Sequence, residues 1–263
     1  MDLGIRDKVA LVAAASKGLG KAAALELAHE GARVAICART EGPLQATAAE
    51  IERATNSQVL AVLADVSKPE DVERLVQTTA AHYGRLDILV TNAGGPPAGY
   101  FMDLEDDTWH AAFELTLMSA VRLCRAAVPH MRKHGWGRIV NITSVSVKQP
   151  IDNLLLSNAL RAAVVGLAKT LSNQFAGDGI TVNSVCPGYT LTDRVAELHA
   201  IRARELGISL AKVERQTTAN IPMGRLGRPE ELAALIAFLA SERAGYITGT
   251  AIQVDGGYVK GLF

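Results

Sequence analysis

At 263 residues the chain is near the upper size for a single hydrophobic core, so one domain spanning 1–263 is expected. Apolar residues make up 49% of it, and 27 Lys plus Arg balance 27 Asp plus Glu, which leaves no net field to attract nucleic acid or an anionic membrane. Three scattered cysteines, Cys37, Cys124 and Cys186, lack the paired spacing of a disulfide or metal framework and read as small buried residues.

The chain opens with Asp2, Arg6, Asp7 and Lys8 and passes directly into a short apolar run, which fits neither a signal peptide nor a membrane span; a reducing cytoplasm is the expected setting. Strands are predicted at Val9–Val12, Val34–Cys37, Val59–Val62, Ile88–Val90, Arg138–Ile142, Thr181–Val185 and Ala251–Val254. Most of these runs are continuously apolar, as in a parallel sheet covered on both faces. Helical spacing fills the intervals at Ala22–Glu30, Pro43–Ala54, Pro69–Tyr83, Thr108–Lys133, Leu160–Phe175 and Pro229–Leu239. Pro69 and Pro229 start helices, and Gly31, Gly84 and Gly177 follow helix ends. Strict alternation of this kind predicts an α/β fold: a Rossmann-type, doubly wound, seven-stranded parallel sheet with helices on both faces. Only 191–221 resists assignment; it is polar, ends at Ile221-Pro222 and is expected to be a lid beside the site.

The first strand-to-helix turn reads Ala13-Ala14-Ala15-Ser16-Lys17-Gly18-Leu19-Gly20. Glycines there permit a tight turn, and the unpaired N–H groups of a helix start suit a pyrophosphate. The spacing departs from the G-x-G-x-x-G fingerprint, and a purely structural turn would use the same glycines. Arg39 stands after the second strand, where an acidic residue would select NAD, so Lys17 and Arg39 together point to the 2′-phosphate of NADP(H).

Taken with Asp65-Val66, Thr91-Asn92-Ala93-Gly94, Pro187-Gly188-Tyr189-Thr190-Leu191-Thr192, Val254-Asp255-Gly256-Gly257 and the stretches GRIVNITSV and IPMGRLGRPEELAALIAFLAS, this turn resembles the classical short-chain dehydrogenase/reductase family, 3-oxoacyl-acyl-carrier-protein reductases above all. The resemblance implies that Asp65 and Val66 hold the adenine, and that Asn92, Ala93 and Gly94 line the crevice below the nicotinamide ribose. It places Pro187, Gly188 and Thr192 on the nicotinamide side and implies a homotetramer formed through the helices at 108–133 and 160–175. Read structurally instead, Asp65 is a capping carboxylate and Asn92-Ala93-Gly94 a strand-ending turn.

The family's chemistry rests on an Asn, a Ser, a Tyr thirteen residues after that Ser, and a Lys four residues beyond. Here Ser144 matches the Ser, but Ser157 and Arg161 stand in the Tyr and Lys positions, Thr116 replaces the Asn, and Ala14 replaces the first glycine of the turn. A serine hydroxyl does not titrate as a phenol does. Arg161 stays protonated, with an electrostatic role towards ribose hydroxyls or a developing oxyanion. Tyr189 is the substitute acid this reading puts forward, with Tyr100 second. The six histidines have no metal-ligand spacing and are expected at the solvated surface, and no metal is expected. Two functions follow: an NADP(H)-dependent oxidoreductase acting on a small-molecule carbonyl or an acyl thioester, and a catalytically silent NADP(H)-binding sensor or scaffold. A third, in which Ala14 abolishes cofactor binding and another ligand takes the crevice, ranks below both.

Overall fold

The fold is that of a computed structural model describing residues 2–262. Strands β1 (Val9–Val12), β2 (Arg33–Ala38), β3 (Val59–Leu63), β4 (Ile88–Thr91), β5 (Gly137–Ile142), β6 (Ile180–Pro187) and β7 (Ala251–Val254) form one parallel sheet in the order β3-β2-β1-β4-β5-β6-β7. Helices α1 (Gly18–His29), α2 (Glu41–Thr55), α3 (Pro69–Tyr83), α4 (Asp106–Phe113), α5 (Ser119–Arg132), α6 (Leu155–Phe175), α7 (Asp193–Leu206), α8 (Leu210–Ala219) and α9 (Pro229–Leu239) complete it.

The buried strands feed two cores because successive side chains leave opposite faces of the sheet. From β1, Ala10 and Val12 pack with Leu27 of α1 and Ile236 of α9, while Val9 and Leu11 pack with Leu75 of α3 and Leu123 of α5. Each of the valine, leucine and isoleucine side chains among them, fully buried, contributes about 1.5–3 kcal/mol. Cys37, Cys124 and Cys186 are all buried within this framework, as expected. No described helix is long and apolar enough to cross a membrane.

Two polar devices fix the register. Asp87, fully buried at the edge of β4, accepts from the Val9 backbone N–H at 2.8 Å and from the fork of Arg85 at 2.7 Å on each oxygen. Across the sheet, Thr91 donates to Asn141 at 2.6 Å, Asn141 donates to the Asn183 carbonyl at 3.3 Å, and Asn183 donates to the Ile247 carbonyl at 2.8 Å. Strands β4 and β5 are thereby linked side chain to side chain, and β5 and β6 side chain to backbone.

Three expectations need correction. The helix predicted over Thr108–Lys133 is interrupted by a π-helical turn at Glu114–Met118, a widening common at functional sites. The helix predicted from Leu160 begins at Leu155, which puts Ser157 and Arg161 on one helix. The unassigned 191–221 stretch is mostly helical: Thr192 caps α7 by accepting from the Val195 N–H, and Ser209 caps α8 by accepting from the Lys212 N–H.

Candidate cofactor crevice and active site

Between β1 and β4 the strand order reverses, and α1 leaves one side of the gap while α5 and β5 close the other. A crevice in that position, outside the carboxyl ends of the strands, is where doubly wound sheets bind ligands. It measures about 510 Å³.

Its floor begins at the β1–α1 turn. Ala14 adopts a left-handed backbone, φ 48°, in the place where the resemblance expects glycine. Its carbonyl accepts from the Asn92 side-chain amide at 3.1 Å, so the turn is anchored to the end of β4. Gly20 has no room for a side chain, since a Cβ would come within 2.7 Å of that same carbonyl. Gly20 therefore serves packing and does not line the crevice, unlike Ser16, Lys17, Gly18 and Leu19. Helix α1 starts with no side-chain cap, Lys17 being extended at φ −165°, so its first-turn N–H groups are left for a ligand. A left-handed Ala is strained by roughly 1–2 kcal/mol, partly offset by the unfolded-state entropy that a Gly adds. We expect Ala14→Gly to stabilise the fold by about 0.5–1 kcal/mol and raise Tm by about 1–4 °C in thermal denaturation, a drop in Tm being the contrary result.

Arg39 stands one residue past β2, exposed, and makes no ion pair among the described residues. Lys17 is engaged: its Nζ lies 3.0 Å from Asp193 of α7, with both side chains about three-quarters exposed. So open a pair is weak, and an incoming phosphate would compete for it. Asp65 accepts from the Ser67 N–H at 3.0 Å and hydroxyl at 2.7 Å, a turn-capping role that coexists with its place on the crevice wall beside Val66. Asn92, Ala93, Gly94, Pro187, Gly188 and Thr192 line the same cavity.

At the opposite end lie Ser144, Ser157, Arg161 and Tyr189. Ser144 accepts from the Ser146 N–H at 3.1 Å, and Ser157 sits 3.5 Å from the Ser146 hydroxyl. Arg161 is half-buried and tied to the end of β5, its Nη1 donating to the Ile142 carbonyl at 3.1 Å and the Thr143 carbonyl at 2.8 Å. Burial, reinforced by the Arg194 charge, pushes the guanidinium down to about 10, so it remains a cation at neutral pH. Thr116, on the π-helical turn, is buried with its hydroxyl unpartnered and does not line the crevice; its neighbour Leu115 does.

Tyr189 meets the crevice but is poorly suited to giving up a proton. Burial and the neighbouring Tyr258 push its phenol up to about 12, whereas a carbonyl reductase gains from a depressed phenol. It can donate a hydrogen bond; it is a weak acid. Tyr100 is more than half exposed and does not line the crevice. The histidine expectation also fails at one position: His199 of α7 is buried, its Nε2 unpartnered, with its ring 6.1 Å from that of Tyr189.

A family model described as Enoyl-(Acyl carrier protein) reductase matches residues 13–259. A 3-oxoacyl-[acyl-carrier-protein] reductase from Synechocystis sp. is 38% identical over 255 residues, covering 96% of this chain and 97% of the relative. The chain belongs to the short-chain dehydrogenase/reductase family. Among solved structures of the family, L-sorbose reductase from Gluconobacter frateurii, complexed with NADPH and L-sorbose, superposes with a TM-score of 0.95 at 36% identity over 100% of both chains. A variant of actinorhodin polyketide ketoreductase with NADPH gives 0.94 at 34% identity, covering 97% of this chain and 98% of that one.

In this short-chain dehydrogenase/reductase the crevice also holds residues that sequence reasoning passed over. Arg194 reaches from α7 across to the Pro96 carbonyl at 2.7 Å, and with the Lys17–Asp193 pair it draws the first turn of α7 over the cavity. The signal was present in Thr192-Asp193-Arg194-Val195, a capping threonine followed by apolar residues at helical spacing.

Proposed function

We propose that this protein is an NADP(H)-dependent oxidoreductase that reduces a carbonyl, or oxidises the corresponding hydroxyl, on a small molecule or an acyl thioester in the manner of 3-oxoacyl-acyl-carrier-protein reductases. The observation that carries the reading is the uncapped start of α1 opening on a large crevice at the sheet's switch point, with Arg39 beside it. The turn fits a dinucleotide: a Cβ at Gly18 would meet nothing nearer than 3.6 Å, so the backbone there is open to a phosphate. NADPH named in the two solved relatives supports the same cofactor.

First-turn amides of α1 would bind the pyrophosphate, and Arg39 with Lys17, released from Asp193, would take the 2′-phosphate. Asp65 and Val66 would hold the adenine, with Asn92, Ala93, Gly94, Pro187, Gly188 and Thr192 around the nicotinamide ribose and carboxamide. Bound there, the cofactor supplies or accepts the hydride. Ser144 would orient the carbonyl, and Arg161 would stabilise the oxyanion as a fixed positive charge. With Ser157 in place of a phenol, the proton comes from water, and turnover falls by ~10²–10⁴-fold against a member with the intact tetrad.

The silent sensor or scaffold is favoured by the loss of three of the four catalytic groups, with Thr116, Ser157 and Arg161 standing in their places and Thr116 turned away from the crevice lining. Nicotinamide absorbance read over a panel of ketones, aldehydes and an acetoacetyl thioester separates the two. Slow, substrate-dependent oxidation of NADPH is the expected outcome; saturable binding without any oxidation selects the sensor. The reading includes a cytoplasmic homotetramer, and exposed Ala162, Ala163 and Gly166 give α6 a small-residue face suited to packing against a partner.

A further inference from the structure

Two guanidiniums share the substrate end of the crevice, and the inner one has no counter-ion. Arg161 makes no ion pair among the described residues; its only hydrogen bonds there are to two backbone carbonyls. Both Arg161 and Arg194 line the cavity, close enough that the charge of Arg194 lowers the proton affinity of Arg161. Arg194 spends one nitrogen on the Pro96 carbonyl and pairs through the other with Glu197 at 3.1 Å, a carboxylate that is itself 61% exposed. A half-buried cation with a second cation beside it is an unfavourable arrangement that an anion relieves. The phosphate cradle touches the first turn of α7 through Thr192 and Asp193, where the Asp193 carboxylate already offsets a cation, whereas Arg161 is tied to the end of β5 and makes no hydrogen bond to the α1 turn. Around the two arginines the wall is aliphatic: Ile151, Leu154, Val195 and Leu198.

We propose that the substrate of this protein is an oxo acid, or the corresponding hydroxy acid, whose carboxylate is held between Arg161 and Arg194 while its aliphatic chain lies against Ile151, Leu154, Val195 and Leu198. Guanidinium forks suit carboxylates in geometry as well as charge. Arg194 is the specificity-determining member, because it comes from α7, whose first turn lies over the crevice. Glu197 acts as a competitor that the substrate displaces.

The inference rests on the oxidoreductase reading, and the test separates the two. NADPH is titrated first, alone, so that failure of nucleotide binding is read by itself. Calorimetry on the NADP⁺-loaded and the nucleotide-free protein then compares 2-oxohexanoate with 2-hexanone, which share a chain and differ in charge. The oxo acid is expected to bind at least about tenfold more tightly. Arg194→Gln is expected to erase that preference, and Glu197→Gln to tighten the oxo acid alone, by roughly threefold. A merely structural role for Arg194, through Pro96, would weaken both ligands alike. Equal affinities for acid and ketone overturn the proposal, as does equal weakening of both in Arg194→Gln. A loss of NADPH affinity in that variant with the oxo acid unaffected also overturns it, assigning the charge to the cofactor. Should Arg194→Gln not fold, the acid-to-ketone ratio and the Glu197→Gln variant decide.

Discussion

Replacing Ser157 by tyrosine together with Arg161 by lysine is expected to raise kcat for NADPH-dependent carbonyl reduction by ~10²–10⁴-fold. Both residues lie on α6 one turn apart, and both line the crevice with Ser144, so a tyrosine at 157 would extend into the cavity that the short serine leaves open. The lysine matters because a phenol with an ordinary value near 10 becomes a useful acid only when a neighbouring cation lowers it. Arg161 gives its Nη1 to the Ile142 and Thr143 carbonyls and is fixed in place. Steady-state kinetics on the double variant, with Ser157→Phe as the control for filled space, make the measurement. A pH optimum following the new phenol should accompany the gain. No gain over the parent, or an equal gain from phenylalanine, would mean that the missing phenol does not limit the reaction.

The largest expected loss of stability comes from Asp87→Ala, about 3–5 kcal/mol by urea denaturation. The carboxylate is fully buried and accepts three hydrogen bonds, from the Val9 N–H and from Arg85 Nε and Nη2. Removing it strands the Val9 amide in the core and leaves Arg85 without its partner. Arg85→Ala should also be strongly destabilising, because it leaves the fully buried Asp87 carboxylate with only the Val9 N–H to offset its charge. A loss under about 1 kcal/mol for Asp87→Ala would show that the carboxylate does not hold β1 against β4.

What was legible in the sequence follows from which physical signal each element carries. Strands buried on both faces are short continuous apolar runs, and Val9–Val12 has the same bounds in sequence and structure. The β1–α1 turn was legible because few residue types make a left-handed turn into a helix, although its strain at Ala14 shows only in the backbone. The π-helical turn at Glu114–Met118 was not legible, since one extra residue in a helical turn leaves the apolar spacing almost unchanged. The 191–221 stretch was passed over because α7 and α8 each bury little: His199 and Ala203 in one, Val213 in the other. A histidine among arginines reads as surface; only its burial beside Tyr189, whose ring in turn meets that of Tyr258, reveals it as the inner face of α7. Arg194 escaped for the opposite reason, as a cation at an exposed-looking helix start whose partner, the Pro96 carbonyl, lies 98 residues away in the chain.

The tyrosine and lysine positions could be assigned only because the spacing from Ser144 survives the loss of both residue types. Both residues are built into the fold where they stand, Ser157 buried against Ser146 and Arg161 bracing β5 through two backbone carbonyls.

Calorimetric titration of NADPH into the intact protein, repeated with NADH and with Arg39→Ala, tests most directly whether the α1 turn is a nucleotide site. Saturable micromolar binding of NADPH, weaker binding of NADH, and a loss of at least about tenfold for NADPH in the variant are the expected results. No heat and no thermal protection at millimolar NADPH would contradict the functional reading and leave only the architecture standing.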